Sequence, residues 1–593
     1  MPSYEPPSRY HLAAVLYPRA AMSASNENTS KEKPAAQTAR ASLSSRLLRP
    51  GVLLRAGFVL AFLAYLPCMN FDFVYDDFSQ IVMNQWLQSW RALPFIFSHD
   101  VWGFTASHTA ANYYRPFFVL WLAVVNHLAG SIPAWYHLGS IFLHLVCGWF
   151  AFLLARRLLR DETAAAFAAI VFLLHPGRVE AVAWPSASTE LLSAIFTFAA
   201  MTAYLRAREG ENIRWRWVAV TLVCFVSALL SKETSVLLPA VLLVWELADG
   251  DSPWRLRLRR CGVMLAAFAV PSVVYLVWRA HVLKGMMFEA GPRLSIYRSL
   301  LTAPLATWWY LRQIVWPVGM SALYPEMVER RVTLLHVVLP AAALLLLVAL
   351  VAWCVRRSRT GITLAAWFAV TLAPAVALVL LVQPHDRYLY LPFFAVCVLL
   401  GWGLRKIRGT QYQEVALGVL MILGVAGIVR ESRPWRDNVP LFERAVQTAP
   451  RHVNARILLA CALVAEQRHD EAIAQLRTAT QINPNALLPW ESLGMIYYDR
   501  GDYDTARDNF LHGVATPWPD SAKFVTFLNL GMIAQRQKNP AEAERWLRRA
   551  IAVEPESLGA HAVLANVLES LGKHAEALRE RELEREVRAR RGM

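Results

Sequence analysis

Charge is scarce in this sequence, and acid scarcer than base. Of its 593 residues only 18% are Asp, Glu, Lys or Arg, 44 of them acidic and 60 basic. A water-borne globular chain carries about a quarter, so a purely soluble globule is excluded. Cysteine is scarce as well, with seven residues in all. Six of them (Cys68, Cys147, Cys224, Cys261, Cys354 and Cys397) lie in or beside apolar runs, and only Cys461 falls in the polar tail. Neither a disulfide framework nor the Cys/His spacing of a zinc site is present. Glycine gathers into no phosphate-cradling loop, so Walker-type and dinucleotide-type nucleotide binding are not expected. The net charge of +16 comes without a nucleic-acid-binding motif. The arginines instead sit between apolar runs, where they orient a membrane protein, and no nucleic-acid partner is expected.

What the chain has in quantity is hydrocarbon: 56% of its residues are apolar. Runs of about 17–22 such residues recur, each long enough to cross a bilayer as a helix. The expected class is all-α, a polytopic membrane core. Spans are expected at 52–69, 137–155, 163–176, 187–205, 215–231, 234–249, 261–279, 334–355, 361–382, 388–404 and 413–429. Positive charge sets their direction. Arg46, Arg49 and Arg55 place the N-terminus in the cytoplasm. The clusters Arg156/Arg157/Arg160, Arg206/Arg208/Arg214/Arg216, Arg255/Arg257/Arg259/Arg260, Arg356/Arg357/Arg359 and Arg405/Lys406/Arg408 mark successive inner loops. Two further apolar runs, 113–130 and 300–316, must then not cross, because counting either alone inverts the clusters behind it. Both carry polar residues (Arg115, Asn126 and His127; Arg312 and Gln313) and aromatic ones, as helices lying on the outer leaflet do. About eleven crossings result, with the C-terminus outside. Residues 1–45 are polar and Ser/Ala-rich and are expected to form a disordered cytoplasmic extension. The first span lacks a clear cleavage site and is expected to stay as an anchor.

From residue 434 the composition changes to polar, Ala- and Glu-rich sequence with a repeat. Ala472, in Asp-Glu-Ala-Ile, and Ala506, in Asp-Thr-Ala-Arg, stand 34 residues apart. Ala543 follows after 37 and Ala577 after another 34, while Pro450 and Pro484 keep the same 34-residue interval. The longer middle interval coincides with the loop Thr516-Pro-Trp-Pro-Asp. A 34-residue period with small residues at fixed places is the tetratricopeptide pattern of stacked helical hairpins. About four repeats are expected, after one lone helix supplied by 435–449, with the charged helix from Arg579 as a cap. The expected domains are a transmembrane unit over 46–433 and a repeat α-solenoid over 434–593.

With this topology the polar residues at the outer helix ends fall on one side. The first outer loop brings the acidic pair Asp76-Asp77, placed where the chain first leaves the bilayer. Arg115, His175, Glu180, Glu190, Lys232, Glu233, Arg387 and Tyr388 come from later loops. Ionisable groups at such depth are costly and mark functional cavities. Carboxylates can accept a proton or hold sugar hydroxyls, and Arg or Lys can hold a phosphate. A lipid-phosphate sugar donor needs both, with displacement at its anomeric carbon assisted by a carboxylate base. Transport is disfavoured, since these charges sit at helix ends and not at the midplane.

The segments Phe73-Val-Tyr-Asp-Asp-Phe, Tyr114-Arg-Pro-Phe-Phe, Tyr136-His-Leu with Leu143-His-Leu, and His175-Pro-Gly-Arg-Val-Glu-Ala-Val-Ala-Trp184 resemble one family. So do Glu190-Leu-Leu-Ser-Ala, Leu230-Ser-Lys-Glu233 and Arg387-Tyr-Leu-Tyr-Leu-Pro392, in the same order and followed by the repeats. The family is the transmembrane and tetratricopeptide-repeat O-mannosyltransferase type, within the GT-C class of polyprenyl-phosphate-dependent glycosyltransferases. The resemblance implies Asp76 as general base, Asp77 in support, and Glu190 where relatives most often carry Asp. Arg115, Lys232 and Arg387 become candidates for the lipid phosphate, and His175, Glu180, Glu233 and Tyr388 for substrate contact. It implies an inverting transfer of mannose or another hexose from a polyprenyl-phosphate carrier to Ser/Thr of an extracytoplasmic protein, with the repeats recruiting acceptor or partner on their concave face. No metal cofactor is expected. The Arg-, Ala- and Trp-rich composition suggests a bacterial chain, hence one in the cytoplasmic membrane with its repeats outside. Two other readings stay open: a non-catalytic membrane-anchored repeat scaffold for envelope assembly, and a glycan ligase or polymerase.

Overall fold

The structure, a computed structural model, describes residues 49–105, 113–209, 213–283, 296–327, 329, 331–379 and 383–590. The expected 1–45 extension and Arg46 lie outside the described residues, as do residues 380–382 of one expected span. Among the described residues the fold is all-α, without a strand. A helix occurs at every expected span, from Pro50–Tyr65 to Thr410–Ser432. Among the described residues seven helical segments are long and apolar enough to cross a membrane, or eight if the bent pair Glu162–Leu174 plus Pro176–Ala183 is one span. The others are shorter, so length and apolarity account for fewer crossings than the charge pattern asks for. The expected span 388–404 begins later: Asp386–Leu389 is a 3-10 turn and the helix is Phe393–Lys406. Pro392 explains the delay, since a proline is well placed at a helix start and poorly inside one.

Glu162–Leu174 is the hub. It starts on Asp161, whose carboxylate accepts the Thr163 and Ala164 amides at 2.9 and 3.0 Å, a strong N-cap. Every side chain from Ala164 to Leu174 is buried. Its five alanines among Phe, Ile, Val and Leu let neighbours approach closely. Helix Thr410–Ser432 approaches likewise through glycine: a Cβ on Gly424 would lie 2.5 Å from the Leu174 carbonyl oxygen, and one on Gly427 2.3 Å from Pro176. Small residues at helix contacts are how membrane helices gain packing where apolar burial alone gives little. After Leu174 the chain bends by 64° at His175-Pro176, where Pro176 cannot donate to the preceding turn.

The two apolar runs read as non-crossing form helices Pro116–Ala129 and Ile296–Val315. Their polar residues have specific uses. Arg115 is ion-paired and Gln313 is hydrogen-bonded to Asp386.

The tail holds one helix, Asn438–Thr448, and then four hairpins: Val453–Ala465 with His469–Ile482, Leu487–Asp499 with Tyr503–Ala515, Phe524–Arg536 with Pro540–Val553, and Ala560–Ser570 with His574–Arg590. Ala472, Ala506, Ala543 and Ala577 are all fully buried, each in the second helix of its hairpin. Arg579 does not begin a separate cap; it lies inside the second helix of the last hairpin. Trp435, Phe442, Ile473, Leu476 and Leu493 belong to the same apolar core as the membrane helices, whereas the last two hairpins share a cluster of their own around Leu547 and Leu564.

Candidate active site

Ion pairs tie the loops together at each end of the bundle. At one end Arg156 meets Glu162, Arg157 and Arg214 meet Glu209, Arg405 meets Asp161, and Arg359 meets Asp249. This end gathers the arginine clusters. The other end gathers the acidic loop.

That loop follows Pro50–Tyr65 and the 3-10 turn Leu66–Asn70. Its two carboxylates are treated differently. Asp77 is fully buried. Its Oδ1 accepts the Ser186 amide at 2.9 Å and the Ser186 hydroxyl, and its Oδ2 accepts the Val74 amide at 3.1 Å. Burial pushes its pKa up to about 7 against the pull of those hydrogen bonds. Asp77 is therefore spent on closing the loop and fastening it to the turn Pro185–Ala187. Asp76 is half-buried, and among the described residues its carboxylate accepts no hydrogen bond. Burial raises it to about 6, opposed by the nearby Arg387 guanidinium. A carboxylate without hydrogen bonds, partly dehydrated, and more basic than usual is suited to take a proton.

Around it the charges are paired. Arg387 donates its amide to Glu180 at 2.8 Å and its guanidinium to the same carboxylate, and lies 5.0 Å from the Trp184 ring. His385 stands 3.4 Å from Glu180. Lys232 is paired with Glu190, both largely buried, and its ammonium lies 4.9 Å from the ring of Tyr388. Arg387 faces the same ring at 5.0 Å, so Tyr388 joins two cations. Arg115 grips Glu233 with two hydrogen bonds of 3.0 and 2.6 Å. Burial raises Glu233 and Arg115 overrides it, holding the carboxylate at about 2. The structure thus brings together Asp76, Asp77, Arg115, Glu180, Glu190, Lys232, Glu233, Arg387 and Tyr388. Every one of the three cations already has a carboxylate. A guanidinium has five N–H donors and such pairing uses two, so donors remain for a phosphate. A cavity of about 30 Å³ between Glu190, Lys232 and Tyr388 has room for about one water.

His175 has another use. Its Nδ1 accepts the Gly177 amide at 3.1 Å, its Nε2 donates to the Ile314 carbonyl at 3.0 Å, and its ring packs 4.2 Å from Phe393. Nδ1 thus serves the bend that ends the hub helix and Nε2 ties it to the end of Ile296–Val315, so both nitrogens already have backbone partners. Conversely, Asp386 was not singled out by the sequence. It is buried and accepts the Tyr324 hydroxyl at 2.5 Å and the Gln313 amide at 2.7 Å, bracing the Arg387 turn. Its neighbour Arg387 was the available signal. Among the described residues no group of three or more His, Cys, Asp or Glu side chains is gathered as a metal ion would need.

The family model for dolichyl-phosphate-mannose-protein mannosyltransferase matches residues 114–278, and tetratricopeptide-repeat models match 439–494 and 528–588. Protein O-mannosyl-transferase TMTC3 of Homo sapiens is 22% identical over 561 residues, 85% of this chain and 61% of the relative. The chain is a relative of the transmembrane and tetratricopeptide-repeat O-mannosyltransferases. TMTC4 of Homo sapiens is 27% identical over 454 residues, 65% of this chain and 60% of that protein. Tmtc1 of Drosophila melanogaster is 35% identical over 196 residues, 33% of this chain and 22% of the relative. The chain spans about three fifths of the TMTC3 and TMTC4 proteins. The mannosyltransferase-type match runs from Tyr114 across Glu180, Glu190, Lys232 and Glu233, and stops short of the loop that carries Arg387.

Proposed function

We propose that this membrane protein is a glycosyltransferase that moves mannose or another hexose from a polyprenyl-phosphate carrier to a Ser/Thr hydroxyl of an extracytoplasmic protein. The observation that carries this reading is the division of labour in the acidic pair. Asp77 is consumed by the fold, and Asp76, beside Arg387, is left accepting no hydrogen bond from the described residues. In this reaction Asp76 takes the proton of the acceptor hydroxyl as its oxygen bonds to the anomeric carbon from the face opposite the phosphate. The bond from that carbon to the phosphate oxygen breaks, its electron pair leaves with the polyprenyl phosphate, and the configuration inverts. The leaving group needs positive charge more than a proton. Arg387, Lys232 and Arg115 supply it, the arginines through the N–H donors that their carboxylates leave free and Lys232 by loosening its carboxylate as the donor enters. Glu190 is then the counterion that gives way, and Glu180 and Glu233 orient their arginines.

Residues 46–433 act as the transferase unit and 434–593 as the acceptor- or partner-recruiting unit. The acidic loop and the repeats face the outside, in a bacterial cytoplasmic membrane. The test uses full-length protein in detergent, radiolabelled polyprenyl-phosphate-mannose or its glucose analogue, and a pool of Ser/Thr peptides. Transfer by wild type that disappears in Asp76→Asn at equal abundance supports the reading. Donor hydrolysis without transfer redirects it to a glycan acceptor. No donor turnover or binding by either protein sinks it in favour of a repeat scaffold.

A further inference from the structure

The acidic loop is fastened from two sides, and the second side is the linker to the repeats. The Asp72 amide donates to the Arg436 carbonyl at 2.9 Å. The Tyr75 amide donates to Asn438 Oδ1 at 2.9 Å, a contact spanning 363 residues of sequence. Tyr75 has φ of 54°, in the left-handed region that a bulky residue occupies only when its surroundings compel it. Here they do. Its ring stacks on Trp184 at 5.6 Å and meets Phe442 edge-on at 5.8 Å, and Trp184 stacks in turn on Trp435 at 5.8 Å.

The residue that reverses the chain is the one immediately before Asp76-Asp77. Asp77, held by Ser186, pins the loop from the membrane helices, and Asn438, the first residue of Asn438–Thr448, pins it from the repeat side. Between them the two adjacent carboxylates part company. No other side chain among the described residues hydrogen-bonds the Tyr75 amide.

We propose that Asn438 is a positioning residue for Asp76, holding Tyr75 in its left-handed conformation so that the acidic loop is set only while the first helix of the repeat region is docked. The proposal rests on the reading of Asp76 as base. It has a consequence for how truncations are read. Removing the chain from residue 436 onward lowers transfer even where the repeats have no part in binding acceptor, because the loop loses its second fastening.

The experiment compares full-length wild type with Asn438→Leu, which keeps the size and removes the acceptor oxygen, and with Asn438→Asp, which keeps the oxygen. Hydrogen exchange of the amides over 72–80 is read beside that of the distal hairpins over 524–590, together with kcat and donor KM. In Asn438→Leu the loop amides are expected to exchange about ten- to hundredfold faster, with the distal hairpins unchanged. Its kcat is expected to fall by a similar factor at unchanged KM, and Asn438→Asp to keep most of the rate. Should the leucine disturb the helix, Asn438→Ala removes the oxygen without adding bulk and is read the same way. Loop exchange unchanged in both oxygen-lacking variants overturns the proposal, as does an Asn438→Asp enzyme as slow as Asn438→Leu. If wild type transfers nothing, the enzyme reading fails by itself, and the exchange arm still decides whether Asn438 sets the loop.

Discussion

The two ends of the helical bundle use the same residue types to opposite purpose. At the arginine-rich end the pairs are wet: Arg156–Glu162 is 40% and 60% exposed, and Arg405–Asp161 46% and 36%. The exceptions there are Glu246, fully buried between Tyr204 and Arg208, and Asp249, 10% exposed between Arg260 and Arg359. At the acidic-loop end the pairs are drier: Arg387–Glu180 is 16% and 3% exposed, Lys232–Glu190 7% and 7%, and Arg115–Glu233 16% and 26%. Exposed pairs contribute about 0–1 kcal/mol, while breaking a buried pair costs about 3–5 kcal/mol because the survivor is stranded. Orientation in a membrane needs only the sign of the exposed charges. A site needs each charge held at a defined place, and only dehydration with partners achieves that.

Mutations sharpen this contrast. The largest effect is expected from Asp76→Asn, which lowers transfer by about 10²–10⁴-fold with abundance unchanged in a membrane immunoblot. Next, Glu180→Ala strands Arg387 and is expected to cost about 3–5 kcal/mol, seen as early unfolding in a thermal melt in detergent. Acidification comes third. Asp76 must be ionised to accept a proton, and its pKa lies at about 6, so kcat/KM is expected to fall about tenfold between pH 7 and pH 5. Asp76→Asn should lose that acid limb along with its rate. The smallest effect belongs to the wet end: Arg405→Gln is expected to change stability by no more than about 1 kcal/mol and to leave transfer at the wild-type level. A large loss of transfer in Arg405→Gln breaks the comparison outright.

The helices and the repeat were legible in the sequence because both rest on local pattern: apolar runs of spanning length, and alanines returning after 34, 37 and 34 residues to the face where two helices touch. The outer-end charges were legible as a set because polar residues interrupt apolar sequence there. What each one does was not, because it depends on partners far along the chain. Asp76 and Asp77 are neighbours of identical chemistry, and the Val74 amide together with Ser186, 109 residues away, separates their roles. His175 looked available until the Ile314 carbonyl met it from 139 residues on. Gln313 was visible as a polar residue in an apolar helix, but its pairing with Asp386, 73 residues on, was not. Nothing in the local sequence marks Asn438, which looks like an ordinary first residue of a helix.

The apolar core that runs from the membrane helices through Trp435, Phe442 and Ile473 to Leu493 stops before the last two hairpins, which pack around Leu547 and Leu564. Mechanically the solenoid is a cantilever, clamped at its root and free at its tip. In an array whose units contact only their neighbours, stability decreases away from the anchored end. The tip should therefore fray first under heat or load, while the root yields only with the membrane core itself. A cargo gripped near the tip could swing over the site without disturbing its geometry, whereas one gripped near the root would tug on the joint beside Tyr75.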